Sequence, residues 1–224
     1  RPPDRPARPL RPELGRPGDM KRRRFGTPEG RIAFIHAIAH IELNAIDLAW
    51  DMVARFTAVE LPDAFYADWV GVAADEARHF TLLADYLQRG GAAYGDLPAH
   101  DGLWEAAAQT SDDILARLAL VPLVLEARGL DTTPAAIAKL TGAGDRDAAA
   151  ILKTIAAEEI PHVAAGVRWF EYMCAARDLE PKSTYQRLVR ARFKGALKPP
   201  FATAARSAAG FDPAWYEPLA KPAD

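Results

Sequence analysis

Two tetrapeptides, Glu76-Ala77-Arg78-His79 and Glu159-Ile160-Pro161-His162, each set a carboxylate and an imidazole three residues apart within apolar-periodic runs. On an α-helix that spacing is close to one turn, so both side chains leave the same face. One glutamate precedes each pair on the run before it: Glu42 before the first, Glu126 before the second. In chain order the pattern reads Glu, Glu-x-x-His, Glu, Glu-x-x-His. Ionised carboxylates are costly in an apolar interior unless paired or bound to metal. Four meeting in one core need either protons, with sharply raised pKa values, or cations. Two divalent cations cancel four carboxylates and take the imidazoles as further ligands; iron and manganese both accept this mixed oxygen and nitrogen set. The expected ligands are Glu42, Glu76, His79, Glu126, Glu159 and His162, holding two iron ions, with manganese as the alternative. A single Glu-x-x-His is common on helices; the doubled pattern is specific.

The elements that must position these residues read as helices. Thr27-Pro28 is a hydroxyl N-cap followed by proline at the first helical position. Ile35, Ile38, Glu42, Ala45, Ala49, Met52 and Phe56 then recur at three- and four-residue steps, predicting a helix over 28–57. Leu61-Pro62-Asp63 opens a second over 62–89, with Trp69, Val72, Glu76, His79, Leu83 and Tyr86 on one stripe. Residues 90–102 form a longer connection, with a short helix near 103–108. Ser111-Asp112-Asp113 caps a third helix over 111–128, with Leu118, Pro122, Leu125 and Glu126 inward. Thr133-Pro134 opens a short helix to 140, and Gly142 to Asp145 breaks it. A fourth long helix covers 145–177, with Ile155, Glu159, His162, Gly166 and Trp169 on one face. A further helix spans 181–193, and short ones end near Gly210 and Trp215. Pro161 sits inside the second Glu-x-x-His and removes the hydrogen bond to Ala157, so a bend or bulge is expected over 157–161. Pro122, one turn before Glu126, poses the same question.

The fold class expected is all-α: an antiparallel four-helix bundle over 27–180, a longer crossover between its second and third helices, and a C-terminal helix and tail over 181–224. Residues 1–26 are rich in Pro and Arg and read as an extended arm. Its run Lys21-Arg22-Arg23-Arg24 reads as a solvated strap, or as a contact to RNA.

This ligand order matches that of ferritin-like di-iron proteins, in which two helices each give a Glu and two give a Glu-x-x-His. The phrases TPEGRIAFIHAIAHIELNAIDLAWD (27–51), DEARHF (75–80), PAHDGLWE (98–105), LEARGLD (125–131) and EEIPHV (158–163) resemble a bacterial ferritin-like family of unassigned function. LKPPF (197–201) and AGF (209–211) extend the likeness into the tail. That family is related to the di-iron monooxygenase that hydroxylates a modified tRNA base. The resemblance implies the same six metal ligands.

Among the neighbours, Glu158, Asp75 and Asp47 lie off stripe, the last two read as solvated or as partners of a ligand. His40 is placed on the far side from Glu42, His36 near enough to orient something, and His100 in a solvent-facing loop. Trp50, Trp169 and Tyr172 fall near the site by spacing, as pocket walls or plain core. Cys174, the single cysteine of the 224 residues, reads as a buried thiol in a reducing cytosol. The net charge of −2 gives no global pull toward nucleic acid or anionic membrane. No apolar run is read as a membrane span and no secretory signal is seen, so a cytoplasmic location and no membrane partner are expected.

Three function classes follow. The first is an O₂-activating oxidase or monooxygenase acting on a small-molecule or modified-nucleoside substrate, with an unidentified electron donor and a monomeric or small homo-oligomeric state. The second is a ferroxidase, iron-handling or peroxide-reducing protein. The third is a structural or RNA-binding bundle without metal.

Overall fold

The computed structural model describes residues 2–16 and 24–221. Lys21, Arg22 and Arg23 of the basic run lie outside the described residues. The chain is all-helical among those described, apart from two isolated bridges. It divides into two units: 1–105 with 135–155, and 106–134 with 156–224.

In the first unit, α1 (Pro28–Arg55) starts where Thr27 Oγ1 accepts the Gly30 N–H at 3.1 Å, with Pro28 at the first helical position. Helix α2 (Asp63–Arg89) begins after Pro62 and ends at Gly90. The two pack along each other. Their facing residues Ile35, Ala39, Leu83 and Leu87 share an apolar centre with Leu140 of α5 and Leu152 and Ile155 of α6. By length and composition α1 could also cross a membrane. The sequence expectation had placed no such segment. Its buried residues nevertheless include His36, His40, Glu42, Asn44 and Asp51, a polar set that needs partners. The described part of the N-terminal arm, 2–16, is held to the first unit: Leu14 bridges Ala99, Arg5 pairs with Asp101 at 2.7 Å, and Arg8 pairs with Asp47 at 3.0 Å.

A short α3 (Gly102–Ala108) precedes α4 (Ile114–Leu120), which Asp113 caps by accepting the Leu115 N–H. A π-turn, Val121–Glu126, leads straight into α5 (Ala127–Gly142). Three residues then reverse the chain. Asp145 starts α6 (Arg146–Ala175): it accepts the Ala148 N–H at 3.1 Å and pairs with Arg31 at 2.9 Å. In the second unit, α7 (Pro181–Arg192) packs on α4, and α8 (Thr203–Ala208), α9 (Pro213–Tyr216) and a 3₁₀ turn follow. Phe170, Tyr185, Phe211 and Trp215 form an aromatic centre with ring centroids 5.4–6.1 Å apart. Cys174 is fully buried, and burial pushes its thiol up to about 11.

Two expectations are corrected. No helix starts at Thr133-Pro134; α5 runs through Pro134 without a break. The helix is already under way from Ala127, so the missing Pro134 N–H costs one hydrogen bond, to Leu130, and does not start a new helix. Nor is there a bulge at 157–161, where α6 stays α-helical through Pro161. The bulge is at Pro122 instead. There the Ala127 N–H reaches the Pro122 carbonyl, an i→i−5 bond. A Cβ on Gly166 of α6 would lie 2.6 Å from Pro122 Cβ and 2.8 Å from its Cγ, so only glycine lets α6 pass the proline ring. Gly166→Ala is expected to cost about 1–3 kcal/mol in urea unfolding. Gly90→Ala is the comparison: its Cβ meets only the tip of Ile32, at 2.5 Å, which can turn away. Equal losses for the two variants would contradict this account of the π-turn.

Candidate metal centre: two half-sites

Glu42 lies on the buried stripe of α1; Glu76 and His79 lie one turn apart on α2, facing it. All three are buried, with exposures of 4%, 1% and 0%. His79 Nδ1 stands 3.2 Å from Glu42 Oε2 and 3.3 Å from Glu76 Oε2. One ligand atom from each residue lies within 4.8 Å of the others. Burial pushes the His79 pKa down, but hydrogen bonds to Glu42 and Glu76, and their charges, outweigh it and hold it at about 10. Two carboxylates and one nitrogen, dry and convergent, suit a hard to borderline divalent cation.

The second half-site lies on α6 and the π-turn. His162 Nδ1 is 3.5 Å from Glu159 Oε2, and both residues are buried. Glu126, the last residue of the π-turn, is partly buried. The three-residue connection makes α5 and α6 antiparallel. The close approach of Pro122 and Gly166 then fixes their register. Four residues on from Pro122 is Glu126, and four back from Gly166 is His162. Pro122 and Gly166, each one turn from a ligand, were the available signals; their pairing was not read from the sequence.

The neighbouring polar groups have other work. Asp75 pairs with Arg78 at the surface (2.6 Å) and Asp47 with Arg8. His36 Nε2 accepts the Gly95 N–H at 2.9 Å and holds the 90–102 connection. His40 is buried: Nε2 donates to the His100 carbonyl (3.1 Å) and Nδ1 accepts from the Tyr94 hydroxyl (2.8 Å). Burial lowers its pKa to about 4. His100 is partly buried rather than solvent-facing, its Nδ1 accepting from the Gly102 N–H. Trp50 and Tyr172 are 50% and 43% exposed, and Trp169 is buried.

The class this defines is an all-α protein with a buried carboxylate and imidazole cluster that could bind a metal. The chain belongs to the family described as Protein of unknown function (DUF455), whose profile matches residues 1–217. A Haemophilus influenzae protein described as uncharacterized is 43% identical over 212 residues, covering 91% of this chain and 72% of that one. No solved structure matches.

Proposed function

We propose that the two half-sites close on one pair of iron ions in a ferritin-like four-helix bundle, and that the protein is an O₂-activating oxidase or monooxygenase. The observation that carries this is the convergence of buried Glu42, Glu76 and His79 to within 4.8 Å. Leu152 and Ile155 of α6 lie in the apolar centre with Ile35, Ala39 and Leu83. Each half also repeats one order, a lone Glu and then Glu-x-x-His, as in the di-iron carboxylate proteins.

Bound there, two ferrous ions would supply two of the four electrons of O₂ reduction, with the substrate giving the other two and an external donor restoring the ferrous state. The chain's own residues hold the metals and keep water out. Glu42, Glu76, Glu126 and Glu159 cancel the cationic charge, and His79 and His162 add nitrogen donors. Ile35, Ala39 and Leu83, all fully buried, form dry packing on the same helices.

Anaerobic ferrous loading of the full chain, followed by O₂ and read by optical and Mössbauer spectroscopy, tests this. About two irons per chain, oxidised together as a spin-coupled pair, are expected. Fewer than one iron per chain, or iron that oxidises as isolated ions, would overturn it.

A further inference from the structure

The second unit holds a cleft of about 200 Å³ between the π-turn, the start of α5 and the C-terminal tail. Its apolar wall is Val124, Leu125, Phe193, Leu197 and Phe201. Its charged groups are Arg128, Lys198, Arg206 and Asp131, three cations to one anion. The single carboxylate is committed. Asp131 takes two bonds from Arg206, at 2.9 and 2.7 Å, and both side chains are buried. Arg206 Nη1 is buried with no hydrogen-bond partner, packed against the Tyr216 ring at 4.4 Å from its centroid. At the rim, Arg128 Nη1 donates to the Lys198 carbonyl, which fixes the tail beside it. Arg128 is 41% exposed, with Nη1 3.5 Å from Asp131 Oδ2, and Lys198 is exposed.

An apolar pocket whose only carboxylate is neutralised, with two accessible cations at its mouth, favours one ligand chemistry. We infer that this cleft binds a small amphiphile: an apolar body about the size of one aromatic ring, carrying a phosphate or carboxylate. The size follows from the volume, since a void of roughly 150 Å³ accepts benzene. The anionic end follows from Arg128, whose planar fork suits two oxygens, and from Lys198 as a point charge. Val124 and Leu125 directly precede Glu126, so the occupant lies against the backbone that carries that residue. Only its relevance to a metal rests on the function proposed above.

The test is calorimetric titration of the metal-free full chain with phenyl phosphate, phenylacetate, inorganic phosphate and benzyl alcohol. At least one of the two aromatic anions is expected to bind one to one, at least tenfold tighter than either inorganic phosphate or benzyl alcohol. Whichever binds identifies the anionic group. Lys198→Glu, at an exposed position, and Arg128→Ala should each weaken it at least fivefold. Arg190→Ala, on the exposed side of α7, should not. Failure of both aromatic anions to bind, equal binding of inorganic phosphate, or unchanged affinity in Lys198→Glu would overturn the inference. None of these outcomes depends on whether the protein binds iron.

Discussion

Glu76→Gln is expected to abolish metal-induced stabilisation while leaving the metal-free protein about as stable as before. Glu42, Glu76 and His79 are all but fully buried, and the His79 Nδ1 faces both carboxylates, at 3.2 and 3.3 Å. Gln keeps an oxygen near His79 and leaves Glu42 beside the imidazole, so the metal-free change should stay within about 1 kcal/mol. The effect of metal is much larger. A ligand at a hundred times its dissociation constant stabilises by about 2.7 kcal/mol, roughly 5–10 °C in Tm for a chain of this size. Thermal unfolding with and without Mn(II), which adds no redox chemistry, should show that shift in the parent and its loss in Glu76→Gln and Glu42→Gln. The opposite pattern would identify the trio as a structural ion cluster that takes no metal: no shift in the parent, and both variants several kcal/mol less stable.

The helices were legible because their stripes are long and regular. The sequence expectation of 28–57 meets Pro28–Arg55, and 62–89 meets Asp63–Arg89. The convergence of Glu42 with Glu76 and His79 was legible for the same reason, since each is the charged residue on an otherwise apolar face. The region from 111 to 142 was misread. There, local signals compete with tertiary ones. Thr133-Pro134 has the form of an N-cap, yet the helix is already under way from Ala127 and goes on. Two prolines looked alike on paper. Pro161 is absorbed without a bulge, while Pro122 carries one because Gly166 lies against its ring. No residue near either proline records that difference. The cleft was missed for a related reason: Arg128 and Asp131 meet Lys198 and Arg206 only in the fold.

Asp131→Ala is expected to be the most damaging single change outside the half-sites. The Asp131 and Arg206 side chains are 0% and 2% exposed. Removing the carboxylate strands a buried guanidinium and deprives the Ala202 N–H of its acceptor. Breaking a buried pair from one side costs about 3–5 kcal/mol. Urea unfolding should show a loss of that size. The double variant Asp131→Ala, Arg206→Met should recover about half of it or more, because it removes both charges and keeps apolar packing against Phe201, Phe211 and Tyr216. A double variant as unstable as the single one would mean that the loss comes from cavity formation and not from the stranded charge.

A helix counts residues, and each one turns it by about 100°. The wide turn at 121–126 therefore acts as a spacer that advances the count by one. Deleting a single residue from this segment would restore ordinary winding. Side chains beyond 126 would keep their directions, because the wide turn is where the extra residue is taken up, and the change would be confined to the turn itself. A deletion elsewhere in the same helix has no such slack and would rotate everything beyond it by about 100°.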